Sequence, residues 1–131
     1  MVCGMDVFHS TALGKKSVLA LTASMNQSAT TYWSTSVIQD EIGQEGSTNL
    51  QTGMTSAIEA FKRNNGAPPA RIVFYRDGVG EGQVQGICAP EIEQIKQAMA
   101  AHNIADSCKM MYVNCCKRVN TRIFAGELSR L

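Results

Sequence analysis

The 131-residue chain carries 12 basic and 11 acidic side chains, and 44% of its residues are hydrophobic. This length and composition are typical of one globular domain rather than of a disordered segment. No apolar run reaches the roughly 18 residues of a membrane helix, and the first residues lack the basic stretch of a secretory signal. Five cysteines without CxxC spacing argue against a disulfide framework and a zinc site, and they favour a reducing, intracellular compartment.

The hydrophobic pattern predicts three strands in the first third of the chain. We expect a buried strand at 2–8, a second strand at 16–24, and a third at 30–39 that is rich in β-branched and aromatic residues. The connections between these strands are short, which favours an antiparallel meander.

After the third strand the pattern changes to helical spacing. Apolar residues recur every three or four positions, and Gly66 predicts the end of this first helix. A strand at 71–76 follows it. We expect a second helix to begin at Ala89-Pro90 and a fifth strand to occupy 109–115.

The predicted order of elements is therefore β-β-β-α-β-α-β. A meander followed by two crossovers gives an α/β fold with a mixed five-stranded sheet, in which the last strands run parallel to the first and helices cover the faces. Several folds begin in this way. In the ribonuclease H-like fold the chemistry needs acids at the tips of the first and fourth strands.

Two aspartates stand at those positions. Asp6 interrupts the first strand, and Asp77 ends the fourth strand immediately before Gly78. If these strands are parallel neighbours, the two carboxylates lie side by side and repel each other unless a divalent cation or a shared proton intervenes. Two Mg²⁺ or Mn²⁺ ions would resolve the repulsion and make a phosphodiester-cleaving centre. For Asp77 alone, a turn residue before glycine is the alternative.

A third acid, Glu45, lies in the loop between the third strand and the first helix. Its flanking glycines could let the loop carry the carboxylate toward the two aspartates. Asp40, Glu41 and Glu45 are equally credible as solvated loop charges.

A basic segment follows the fifth strand. Lys117, Arg118 and Arg122 are spaced so that they could meet successive phosphates of an extended nucleic-acid strand, and Thr121 offers a hydroxyl donor. A solvated surface is the alternative interpretation of this segment.

Three blocks of sequence together resemble the PIWI domain of the Argonaute/Piwi family. They read GMDVFH at 4–9, YRDGVGEGQ at 75–83 and KRVNTRIF at 117–124. The middle block is highly specific, and the three blocks follow one another over nearly the whole chain. Gly80 and Asn120 favour the Piwi branch of the family.

The resemblance assigns roles to the candidate residues. It implies a ribonuclease H-like centre in which Asp6 and Asp77 bind Mg²⁺ or Mn²⁺, Glu45 is a further catalytic acid, and a fourth ligand lies beyond residue 131. It also implies that the basic segment faces the backbone of a small guide RNA, with contacts from Lys117, Arg118, Thr121 and Arg122.

The resemblance implies that residues 1–131 are a partial PIWI domain, truncated before its last helix and lacking the PAZ and MID domains. The expected activity is cleavage of RNA complementary to a guide, in gene silencing in the cytoplasm or nucleus, with no membrane partner. One alternative is a catalytically inactive Piwi protein that silences through partners. Another is a ribonuclease H-like nuclease that uses no guide.

Overall fold

The computed structural model describes residues 1–9, 16–42, 49–117 and 122. The predicted β-β-β-α-β-α-β order is confirmed, and a 3₁₀ turn at Glu81–Gln83 precedes the second helix. The elements are β1 (Val2–His9), β2 (Lys16–Ser24), β3 (Tyr32–Ile42), α1 (Leu50–Asn65), β4 (Arg71–Asp77), α2 (Val84–Ala101) and β5 (Lys109–Cys115).

The five strands form one mixed sheet in the order β3-β2-β1-β4-β5. The first three strands pair antiparallel as the predicted meander, and β4 lies parallel to both β1 and β5. The β1–β4 register runs from Val2 opposite Val73 to Met5 opposite Arg76. Strand β1 therefore pairs with the meander on one side and with the parallel strand β4 on the other.

One face of the sheet is packed and the other is open. Side chains alternate along β1, so Cys3 and Met5 are buried whereas Asp6 and Phe8 are exposed. The expectation that β1 is a buried strand is therefore wrong, because in the described part of the chain only one face of the sheet meets the helices. The Asp6 carboxylate projects from the open face, so its charge remains in contact with water.

The core joins both helices to the packed face. Leu21 of β2 and Phe74 of β4 share one buried cluster with Met54 of α1 and Ile95 of α2. The two helices also contact each other. On the open face Tyr75 and Met111 remain 43% and 61% exposed. No helix in the described ranges is long and apolar enough to span a membrane.

The helix ends follow the local chemistry only in part. Gly66 ends α1 as predicted, with φ at 74° and its N–H donating to the Lys62 carbonyl. The predicted start of α2 at Ala89-Pro90 is wrong, because the helix begins at Val84 and contains Pro90. The preceding 3₁₀ turn runs directly into α2, so the helix is already formed before proline removes one backbone donor.

Shortening Ile58 tests this core. Ile58 of α1 is fully buried in the core cluster, so Ile58→Ala should lower the free energy of unfolding by about 2–5 kcal/mol through lost burial and an unfilled cavity. The neighbouring Glu59 is exposed, and Glu59→Ala should change it by less than about 0.5 kcal/mol. Urea denaturation measures both, and equal effects of the two substitutions would contradict the assigned packing.

Candidate metal and nucleic-acid site

The structure brings Asp6 and Asp77 to one place on the open face. The parallel register of β1 and β4 ends at Met5 opposite Arg76, so the next residue of each strand is one of the two aspartates. A β-carbon at Gly78 would lie 3.2 Å from Asp6 Oδ1, which places the Asp6 carboxylate against the backbone that follows Asp77. Both acids line a groove of about 370 Å³.

Each aspartate uses one carboxylate oxygen to bind the next backbone amide. Asp6 Oδ1 accepts a hydrogen bond from the Val7 N–H at 2.9 Å, and Asp77 Oδ1 accepts one from the Gly78 N–H at 2.8 Å. Gly78 has φ of 86°, a left-handed conformation that favours glycine. These bonds leave the second oxygen of each carboxylate for another partner.

A lysine ammonium lies at this acid pair. Lys117 Nζ donates to Asp77 Oδ2 at 2.6 Å. This hydrogen bond is the main reason that the pKa of the Asp77 carboxyl lies below its ordinary value of 3.8. The same bond raises the pKa of Lys117, and the charge of Asp6 raises it further. One cation therefore interacts with both carboxylates.

The carboxylate oxygens of Asp6 and Asp77 are suitable ligands for a hard divalent cation. Carboxylate oxygens are the ligands that Mg²⁺ and Mn²⁺ prefer, and the Lys117 ammonium shows that a positive charge can lie at Asp77. Within the ranges that the structure describes, no three His, Cys, Asp or Glu side chains form a group that could hold a metal. Glu45, the third predicted acid, lies outside these ranges.

Of the four residues predicted to contact RNA in the basic segment, the structure describes two, Lys117 and Arg122. Lys117 pairs with Asp77, and its side chain remains 71% exposed. Arg122 is exposed. Arg118 and Thr121 lie outside the described residues, so a shared phosphate-binding surface of the four stays a prediction.

The sequence interpretation missed a buried polar cluster beneath the site. Arg76 Nε lies 3.1 Å from Glu91 Oε2, and the two side chains are 2% and 0% exposed. A signal was present, because Arg76 shares the alternation of the buried Ile72 and Phe74. Glu91 shares the helical spacing of buried residues on α2. A charge at a core position on each element indicates a partner.

Removing the lysine charge tests the electrostatics of the acid pair. In metal-free buffer, Lys117→Met should raise the pKa of Asp77 toward its ordinary value, because the hydrogen bond that lowers it is lost. A ¹³C NMR titration of the carboxyl measures this. Lys96→Met is the matched control, since exposed Lys96 lies next to Glu93 on α2 and should leave the pKa of Asp77 unchanged.

The same substitution predicts a pH dependence of stability. A carboxyl whose pKa is lower in the folded state contributes stability above its unfolded pKa, and this contribution disappears as the pH falls through the folded value. The wild type should therefore exceed Lys117→Met in stability at neutral pH, and the difference should vanish in acid. A difference that persists below the lowered pKa of Asp77 would contradict the pairing.

Comparison with known proteins identifies the family. A family model described as the Piwi domain matches residues 1–130. The Piwi-like protein 1 of Danio rerio is 37% identical over 125 residues, which are 95% of this chain and 14% of that protein. The chain thus spans a small part of the length of this relative.

Solved structures share the fold of this chain. The C-terminal lobe of a budding yeast Argonaute has a TM-score of 0.79 and 25% identity, covering 91% of this chain and 24% of that one. The Kluyveromyces polysporus Argonaute with a guide RNA has a TM-score of 0.77 and 24% identity, covering 86% and 14%. The predicted ribonuclease H-like fold class is confirmed. The chain belongs to the Piwi domain family.

Proposed function

We propose that this chain is the central part of the PIWI domain of a Piwi protein that binds a small guide RNA and cleaves complementary RNA. The observation that carries the proposal is the pair of aspartates on the adjacent strands β1 and β4, with the Lys117 ammonium bound to Asp77. Family membership supports guide binding in gene silencing. Family membership also favours a guide-dependent Piwi protein over a nuclease that uses no guide. We place the activity in the cytoplasm or nucleus, as for the family.

The two aspartates have defined roles in this proposal. Asp6 and Asp77 hold Mg²⁺ or Mn²⁺, and Glu45 is the further acid. When bound there, the ions supply the two-metal chemistry of phosphodiester hydrolysis, which leaves 5′-phosphate and 3′-hydroxyl ends. The chain's own contribution is orientation: the Gly78 amide holds Asp77 Oδ1, so that Oδ2 is directed to the position that the Lys117 ammonium occupies.

The basic segment binds the guide backbone in this proposal, through Lys117, Arg118, Thr121 and Arg122. Because a divalent cation at Asp77 would repel the Lys117 ammonium, metal binding makes Lys117 available to a phosphate. Contacts of this kind fix the position of an RNA strand without reading its bases. Sequence recognition then comes from pairing between guide and target.

One observation favours a second candidate function. Lys117 Nζ donates to Asp77 Oδ2 at 2.6 Å, and a lysine in this place can neutralise the carboxylate of an inactive site that keeps its acids. The second candidate is therefore a Piwi protein that binds guide RNA and silences through protein partners.

Removing one acid at a time tests the cleavage proposal. In the guide-loaded full-length protein with Mg²⁺, Asp77→Asn and Asp6→Asn should each lower the cleavage rate by more than about a hundredfold. Even outer-shell partners of a metal are worth about 10–100-fold, and these residues are ligands. Guide affinity should stay within about twofold, since neither acid attracts phosphate. Single-turnover cleavage of a labelled complementary RNA and filter binding measure the two quantities.

Asp106→Asn is the matched control, because Asp106 is exposed near the end of α2 and far along the chain from the acid pair. It should cleave like the wild type. Cleavage by Asp77→Asn at the wild-type rate would refute the proposal. A wild type that binds guide yet never cuts would favour the second candidate.

Salt dependence tests the RNA-binding segment. In the full-length protein, Arg122→Ala should weaken the binding of single-stranded guide RNA, and the loss of affinity should be similar for guides of different sequence. It should also reduce the slope of log affinity against log salt by about 0.7, the value for one phosphate contact. Arg63→Ala is the control, since Arg63 is also an exposed arginine, at the end of α1, and it should leave the slope unchanged. An unchanged slope for Arg122→Ala would remove Arg122 from the contact set.

A further inference from the structure

A buried polar cluster joins β4, α2 and β5 directly beneath the acid pair. Arg76 Nε lies 3.2 Å from Glu91 Oε1 and 3.1 Å from Oε2, and the Tyr112 hydroxyl donates to Oε2 at 2.6 Å. Arg76 and Glu91 are almost completely buried. The Tyr112 ring also stacks on Phe74, with centroids 5.4 Å apart. The arginine therefore has little freedom to move.

Stability alone is a weak explanation for this cluster. Taking two charges out of water costs free energy that their attraction often fails to repay, and apolar residues of similar volume commonly do as well. The position of the cluster suggests another role. Arg76 immediately precedes Asp77, and its guanidinium reaches past its own residue to the backbone of the site.

The arginine holds the peptide that orients Asp77. Arg76 Nη1 donates to the carbonyl oxygen of Asp77. The N–H of the same peptide unit belongs to Gly78, and it donates to Asp77 Oδ1 at 2.8 Å. Because a peptide unit is planar and rigid, fixing its carbonyl also fixes its N–H. The orientation of the Asp77 carboxylate is thus tied to Arg76.

The surroundings of Gly78 leave this peptide little room. A β-carbon at Gly78 would lie 3.2 Å from Asp6 Oδ1 and 3.8 Å from Arg76 Nη1. The Asp6 carboxylate and the guanidinium therefore both lie close to the backbone at Gly78. A rotation of the peptide would break the Arg76 bond and the Gly78 bond together.

We propose that Arg76, anchored by Glu91 and Tyr112, is a positioning residue that orients the Asp77 carboxylate toward the cation site. The inference deepens the proposed function and rests on it, since it takes Asp77 as a metal ligand. Residues that orient a ligand in this way are typically worth about 10–100-fold in metal affinity.

A triple variant of the full 131-residue chain separates positioning from stability. Arg76→Met, Glu91→Leu and Tyr112→Phe together remove the two charges and the hydroxyl, so that neither charge is left buried alone. We expect this variant to fold, to bind Mn²⁺ about 10–100-fold more weakly than the wild type, and to exchange the Gly78 amide at least tenfold faster. Calorimetry measures the affinity, and NMR measures the exchange.

Two further variants make the outcome decisive. Ile95→Val shortens a fully buried side chain of α2 outside the cluster, so it should lower stability without changing Mn²⁺ affinity. Arg76→Lys keeps a positive charge next to Glu91 but lacks the second nitrogen that reaches the Asp77 carbonyl. It should bind Mn²⁺ more weakly than the wild type, and it decides the question if the triple variant does not fold.

A folded triple variant or Arg76→Lys chain with wild-type Mn²⁺ affinity and wild-type Gly78 exchange would overturn the inference. Failure of the proposed function has a different signature, in which the Asp77→Asn chain binds Mn²⁺ as tightly as the wild-type chain. Gly78 exchange measured without metal would still decide in that case. Faster exchange in the variants supports positioning of Asp77 by Arg76, and equal exchange refutes it.

Discussion

The parallel pairing of β1 with β4 is the constraint on which the rest of the structure depends. The two strands are far apart in sequence and lie at the centre of the sheet. Their register decides that Asp6 and Asp77 emerge side by side on the open face. A shift of one residue would move one acid to the packed face and separate the pair. Helix α1, which contacts β2, β3 and α2, carries the chain from β3 across to β4.

The site combines two layers of charge with different surroundings. On the open face, the carboxylates of Asp6 and Asp77 and the ammonium of Lys117 are in contact with solvent, so the cation there can be exchanged. On the packed face, Arg76 and Glu91 are shielded from water and locked by hydrogen bonds. The solvent-exposed charges can therefore bind and exchange a cation, whereas the buried pair Arg76 and Glu91 can hold a fixed orientation.

The sequence predicted those features that depend on local pattern. The bounds of β2 and β5 and the end of α1 at Gly66 follow from alternation, β-branched residues and glycine. The start of α2 was missed because a 3₁₀ turn, which has no strong sequence signal, begins the helix before Pro90.

The candidate site was predictable in its acids but not in their partners. Asp6 and Asp77 are marked by their strand positions and by the family motifs around them. The bonds of Lys117 to Asp77 and of Arg76 to Glu91 depend on which face of the sheet each side chain occupies and on how α2 packs against the sheet. Such long-range geometry is set by packing, which local periodicity does not encode.

Paramagnetic broadening by Mn²⁺ tests the central claim, a divalent-cation site at Asp6 and Asp77, most directly. In an NMR titration of the ¹⁵N-labelled chain, the amides of these two residues and of Gly78 should broaden first. The Lys117 ammonium should lose its hydrogen bond to Asp77 over the same range of concentration. Broadening that begins elsewhere, or that is identical in Asp77→Asn, would contradict the account.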